Sequence, residues 1–229
     1  MYALSLSIIL GLSFALIVYI RRNRRSQREH TIRTYMFPPG LLDQLQKRRP
    51  ELALKDRQLV ARALRQFFLV YLNSGFKQVA MPSQLVDELW HEFILYTQHY
   101  QSFCQQAFGR YLHHTPAAVL GASSNNNAHI RRTWWYACLE ENINPRHATR
   151  LPLLFALDAK YDIADGFRYQ PNCREQNRHG AGDVYCASDF YPDSGSGDAS
   201  TYSFSDDSSS SGESSSDGGC SGGCSGGGD

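Results

Sequence analysis

Asp87 and His91 stand four residues apart in the run Val86-Asp87-Glu88-Leu89-Trp90-His91-Glu92-Phe93-Ile94-Leu95. On a helix that spacing puts a carboxylate and an imidazole on one face, where both side chains can reach one point. His113 and His114 follow about 20 residues later, just past the end of the same predicted helix. If the intervening turn folds back, one of them completes an Asp/His set. Imidazole with carboxylate suits Zn²⁺, or a non-haem iron or manganese ion. Three protein ligands with an open position would allow hydrolytic chemistry. The plainer reading has Asp87 orienting His91 or capping a helix end, with His113 bonded to a buried carbonyl. Cys173, His179 and Cys186 form a second constellation in a Gly-containing, irregular segment. Three soft ligands in a loop can hold zinc and order the segment, but the spacing matches no standard finger. Its fourth ligand would have to be Cys220, Cys224 or a water.

The elements that must position these groups read as helices. Residues 35–160 repeat apolar side chains at helical spacing with almost no strand-like alternation. A first helix at about 40–48 lies between Pro38-Pro39-Gly40 and Pro50. A second at about 55–74 carries Val60, Leu64, Phe67 and Tyr71 on one stripe and stops at Asn73-Ser74-Gly75. A third at about 82–107 begins at Pro82-Ser83, a favourable start and cap. Its apolar seam is Leu85, Leu89, Phe93, Tyr96, Tyr100 and Phe103, and Gly109 ends it. Residues 113–128 read as a loop, 129–143 as a fourth helix and 152–160 as a fifth. In the fourth, Trp135, Cys138 and Leu139 share the spacing of a core face. The expected fold class is therefore all-α, a helical domain of four to five helices over residues 36–162. Residues 163–187 form an irregular Cys/His-containing extension.

Charge and hydropathy set the two ends apart. The chain has 23 Lys+Arg and 22 Asp+Glu, yet no basic residue follows Arg178. Residues 1–178 thus carry a net +10 and residues 179–229 a net −9. Residues 1–20 carry no charged side chain, which predicts a transmembrane anchor. Arg21, Arg22, Arg24, Arg25, Arg28 and Arg33 follow, with Glu29 the only acid among them. The positive-inside rule then predicts a single-pass protein, N-terminus out and helical domain in the cytosol, or at the inner membrane of a bacterium. Residues 21–35 would be a basic juxtamembrane linker. In it Arg21, Arg22, Arg24 and Arg25 would contact a lipid bilayer with anionic headgroups. From residue 188, 25 of the last 42 residues are Ser or Gly, eight are acidic and none is basic. That composition predicts a disordered acidic tail over 188–229.

The Val-Asp-x-x-Trp-His helix, with Tyr100, Phe103-Cys104, Gly109 and His113-His114-Thr115-Pro116, resembles the glycine-rich domain-containing proteins, in particular their bacterial, membrane-anchored branch. The resemblance covers roughly residues 36–187 and the character of the tail. It implies a helical domain beside a low-complexity region, with no established reaction.

The chain contains no P-loop, dinucleotide glycine fingerprint, nucleophile elbow or four-Cys zinc ribbon. Basic clusters at Arg24-Arg25, Lys47-Arg48-Arg49 and Arg131-Arg132 lack the aromatic interleaving of a nucleic-acid module, so nucleic acid is not an expected partner. The sequence reading is a membrane-tethered interaction module with an unknown protein partner, rather than an enzyme. Its rival is a metal-binding protein or metal-dependent enzyme, with zinc as cofactor, centred on Asp87, His91, His113 and His114.

Overall fold

The computed structural model describes the backbone of residues 2–114, 124–171, 184–186 and Phe190, with side chains from Ile8 onward except 124–127 and 184. Met1–Asp193 form one compact unit; a second unit, Ser194–Asp229, lies outside the described residues. The described chain is mostly helical. Seven helices run in order: α1 (Tyr2–Thr34), α2 (Leu41–Arg48), α3 (Leu54–Asn73), α4 (Gln84–Leu95), α5 (Thr97–Phe108), α6 (Ser124–Glu140) and α7 (Leu153–Lys160). Two three-residue strands, β1 (Arg168–Gln170) and β2 (Val184–Cys186), pair in parallel with Tyr169 opposite Tyr185. This small sheet falls in the segment expected to be irregular.

Helix α3 is the centre of the domain. Val60, Ala63, Leu64, Phe67, Phe68, Leu69 and Val70 are all buried, and α1, α2, α4, α6 and α7 pack around them. The stop read at Asn73-Ser74-Gly75 is where α3 ends, with Gly75 at φ 72° and Phe76 at φ 64°. An aromatic cluster fills the space between α3, α4 and α5: Phe67 lies 5.0 Å from Trp90, and Phe68 lies 4.8 Å from Phe103. Burying each such ring contributes about 1.5–3 kcal/mol.

The transmembrane anchor is corrected. Among the described residues no helix is long and apolar enough to cross a membrane. The helix in question is α1, which carries the uncharged run of residues 1–20. Many of its side chains are exposed, Leu10 and Phe14 among them. The same helix continues without interruption through the arginines expected to form a linker. Its C-terminal half docks on the domain: Ile32 is fully buried, and Arg33 pairs with Glu140 on α6 through both guanidinium nitrogens. The single-pass topology, with its N-terminus outside and a cytosolic domain, falls with the anchor.

Two further expectations change. The predicted helix 82–107 is two helices, broken at Tyr96, whose ψ of 60° leaves the helical region. In one straight helix residues 90 and 100 would stand about 15 Å apart along the axis; the break brings Trp90 and Tyr100 into hydrogen-bond contact. In α6 the buried face is Trp134, Ala137 and Cys138, one residue out of phase with the expected Trp135 and Leu139, and Leu139 is half exposed. Of the stretch assigned to the tail only Phe190 is described. It is buried, 5.9 Å from the Trp134 ring.

Candidate metal centre

The site begins with how α4 is held. Ser83 is its N-cap and accepts the Val86 N–H at 3.2 Å. The Ser83 hydroxyl donates to Asp158 Oδ1 at 2.6 Å. Asp158, buried on α7, also accepts the backbone N–H groups of Gln84 at 2.7 Å and Leu85 at 3.2 Å. A fourth donor is the Phe167 N–H, at 2.9 Å. One carboxylate therefore satisfies the free donors of the α4 N-terminus from across the fold.

α4 then carries three acids, and two are already matched. Glu88 takes both arms of the Arg49 guanidinium, at 3.1 and 2.6 Å, and Glu92 pairs with Arg48 at 2.6 Å. Glu88 first, and Asp165 after it, raise the pKa of Arg49 above its ordinary value, against the opposing effect of burial. Asp87 is the acid left to face the histidines.

The third group arrives by a turn. Gly109 ends α5 at φ 71°, a conformation open to glycine, and the chain reverses toward α4. The Trp90 Nε1–H donates to the Tyr100 hydroxyl at 3.1 Å, and that hydroxyl donates to the Leu112 carbonyl at 2.6 Å. Burial above all, with the nearby Cys104, pushes the Tyr100 pKa far above the usual phenol range, so the hydroxyl stays a donor. This chain of bonds fixes the backbone two residues before His114. The His114 ring packs against Trp90, with centroids 4.6 Å apart.

Asp87, His91 and His114 meet there. Asp87 Oδ1 lies 2.9 Å from His114 Nε2, and Asp87 Oδ2 lies 3.3 Å from His91 Nδ1. The two imidazole rings are 4.2 Å apart. One ligand atom from each of the three residues lies within 4.8 Å of the others. Two donors on one zinc ion at about 2.0–2.2 Å and a tetrahedral angle stand about 3.3 Å apart, comparable with the two Asp87–His distances, and the donor types suit zinc. His114 and Asp87 are largely covered, while the His91 side chain is 47% exposed and opens the site to solvent.

The other expected site residues fall elsewhere. His113 is exposed and faces Tyr111, with rings 4.8 Å apart, outside the cluster. Cys186 lies on β2 and is disulfide-bonded, which removes it as a thiolate ligand; Cys173 and His179 lie outside the described residues. Arg25 donates to Asn73 at 2.9 Å and to Glu29 at 3.2 Å, which ties the basic part of α1 to the end of α3. Asp158 escaped the sequence reading, as did the role of Tyr100 in holding His114. The Pro82-Ser83 cap was visible, but nothing local marks its partner 75 residues away.

No curated protein and no solved structure matches the chain. A family model described as UCP032817-like matches residues 27–190, from the docked half of α1 through Phe190, and so takes in α4, the turn at Gly109 and all three clustered residues. The chain belongs to this uncharacterised family.

Proposed function

We propose that Asp87, His91 and His114 bind a divalent transition-metal ion, zinc foremost. The observation that carries this reading is the convergence of two imidazoles and a carboxylate within 4.8 Å, from a helix and from a turn about 20 residues beyond it. Three protein ligands with a solvent-facing side would leave one coordination position open. An ion held this way polarises a water or a carbonyl oxygen and supports hydrolytic chemistry. The side chains of the site do the rest: Asp87 supplies the anionic ligand, and Trp90 and Tyr100 keep His114 in place.

Elemental mass spectrometry of the purified full chain tests this. Near-stoichiometric metal is expected, lost in His91→Ala and His114→Ala and retained in His113→Ala. Folded protein without metal after incubation with Zn²⁺ would sink the proposal.

A second reading rests on the 2.9 Å contact, which is also a good hydrogen-bond length. In it Asp87 and His114 simply clamp α4 to the turn. A His114→Gln variant that keeps full stability, in a protein that takes up no zinc, would favour the clamp.

A further inference from the structure

Arg21, Arg24, Arg25 and Arg28 recur at i, i+3, i+4 and i+7 along α1, so they form one stripe on the helix. The stripe faces the end of α3 across an open cavity of about 330 Å³, lined on the other side by Leu72, Gly75 and Phe76. Arg110 also stacks on Phe76, its guanidinium 4.8 Å from the ring centre, with Arg28 at 5.7 Å from the same ring.

Negative charge is scarce here. Glu29 pairs with Arg25 alone, and Arg21 and Arg24 make no hydrogen bond or ion pair among the described residues. Arginines at i, i+4 repel one another and disfavour the helix that carries them. An anion seated among them would relieve that repulsion. Guanidinium forks match phosphoryl oxygens two at a time, which a chloride cannot exploit, and several forks around one site suit an anion with more oxygens and more charge than a single carboxylate carries. The cavity has the size of a small-ligand pocket, and Phe76 and Leu72 give it an apolar floor.

We propose that this cavity binds a soluble anion bearing two or more phosphoryl groups, with Arg21 and Arg24 on the phosphoryl oxygens. The site is independent of the metal centre and shares no residue with it.

Calorimetric titration of the full chain with sodium pyrophosphate, in a chelator-containing buffer at low salt, tests the proposal. Binding is expected to weaken as salt rises. The Arg21→Gln/Arg24→Gln double variant should raise Kd by about tenfold or more. It should leave the circular dichroism spectrum unchanged, since neither side chain holds the fold. Arg62→Gln, an exposed arginine on α3, should bind like the wild type. No binding at about 1 mM pyrophosphate overturns the proposal, as does an equal loss in the Arg62 control. Capture by vesicles containing phosphatidic acid, without binding of soluble pyrophosphate, also overturns it.

Discussion

The Trp90 indole and the Tyr100 hydroxyl are joined by a 3.1 Å hydrogen bond, although they belong to different helices. That bond is the mechanical link between the Asp87–His91 pair and the turn that delivers His114. Tyr100→Phe removes the acceptor of Trp90 and the donor to Leu112 together, leaving two buried polar groups unmatched. The expected cost is about 2–3 kcal/mol in urea unfolding. Zinc affinity, measured by chelator competition, should fall with it. His113→Ala should change neither.

Asp158 should be the most sensitive polar residue near the site. Asp158→Ala strips the Ser83 hydroxyl and three backbone N–H groups of their acceptor, and a loss of about 3 kcal/mol is expected. Ser83→Ala, which removes only the local cap, should cost about 1 kcal/mol. Gly166 provides an independent check. A Cβ there would lie 2.7 Å from Asp158 Cβ, so Gly166→Ala should destabilise by about 1–3 kcal/mol. Equal, small effects from all three in thermal unfolding would refute this account.

Glu141 predicts an acid-sensitive domain. Burial disfavours its charge, but the Leu153 N–H, Arg150 and Gln66 outweigh burial and bring its pKa below the usual carboxylate value. A depressed folded pKa gives stability that is fully present above the unfolded value and is lost as pH falls through the folded one. Glu141→Gln should therefore be less stable than wild type at neutral pH, with the gap closing below about pH 4. Denaturant midpoints taken across that range read this directly.

Cys104 and Cys138 should resist alkylation while the protein is folded. Both are buried and free. Burial first, then the charge of Glu141, pushes the Cys138 thiol up to about 12, and burial raises Cys104 as well. A neutral, enclosed thiol is a poor nucleophile. Iodoacetamide at pH 8 should label both only after unfolding; rapid labelling of native protein would contradict the buried positions.

What could be read beforehand follows from how far each signal reaches along the chain. Pro, Gly and Asn mark the ends of α2, α3 and α7 locally, and those helices fall within a residue or two of expectation. The Asp87–His91 face needs only the helical repeat. The break at Tyr96 carries no Pro or Gly, so the apolar seam read as continuous. Choosing His114 over His113 depends on the path of the chain after Gly109 and on the Tyr100–Leu112 bond; Gly109 marks the stop locally, but nothing local marks where the chain goes next. The two short strands pair across about 16 residues, and a three-residue run carries too little alternation to announce itself. The docking of α1 on the domain through Ile32 and Arg33 likewise has no local signature in the basic run of residues 21–35.

The distance between Ser83 and Asp158 along the chain also sets an order of events during synthesis. α4 leaves the ribosome with its first turn only partly capped and waits for some 75 more residues before the Asp158 acceptor emerges. Through that interval the helix bearing Asp87 and His91 has only its Ser83 cap and its apolar neighbours to hold it. A nascent chain arrested before residue 158 would therefore carry the ligands without the clasp that orients them, and the centre would mature only once α7 had been made.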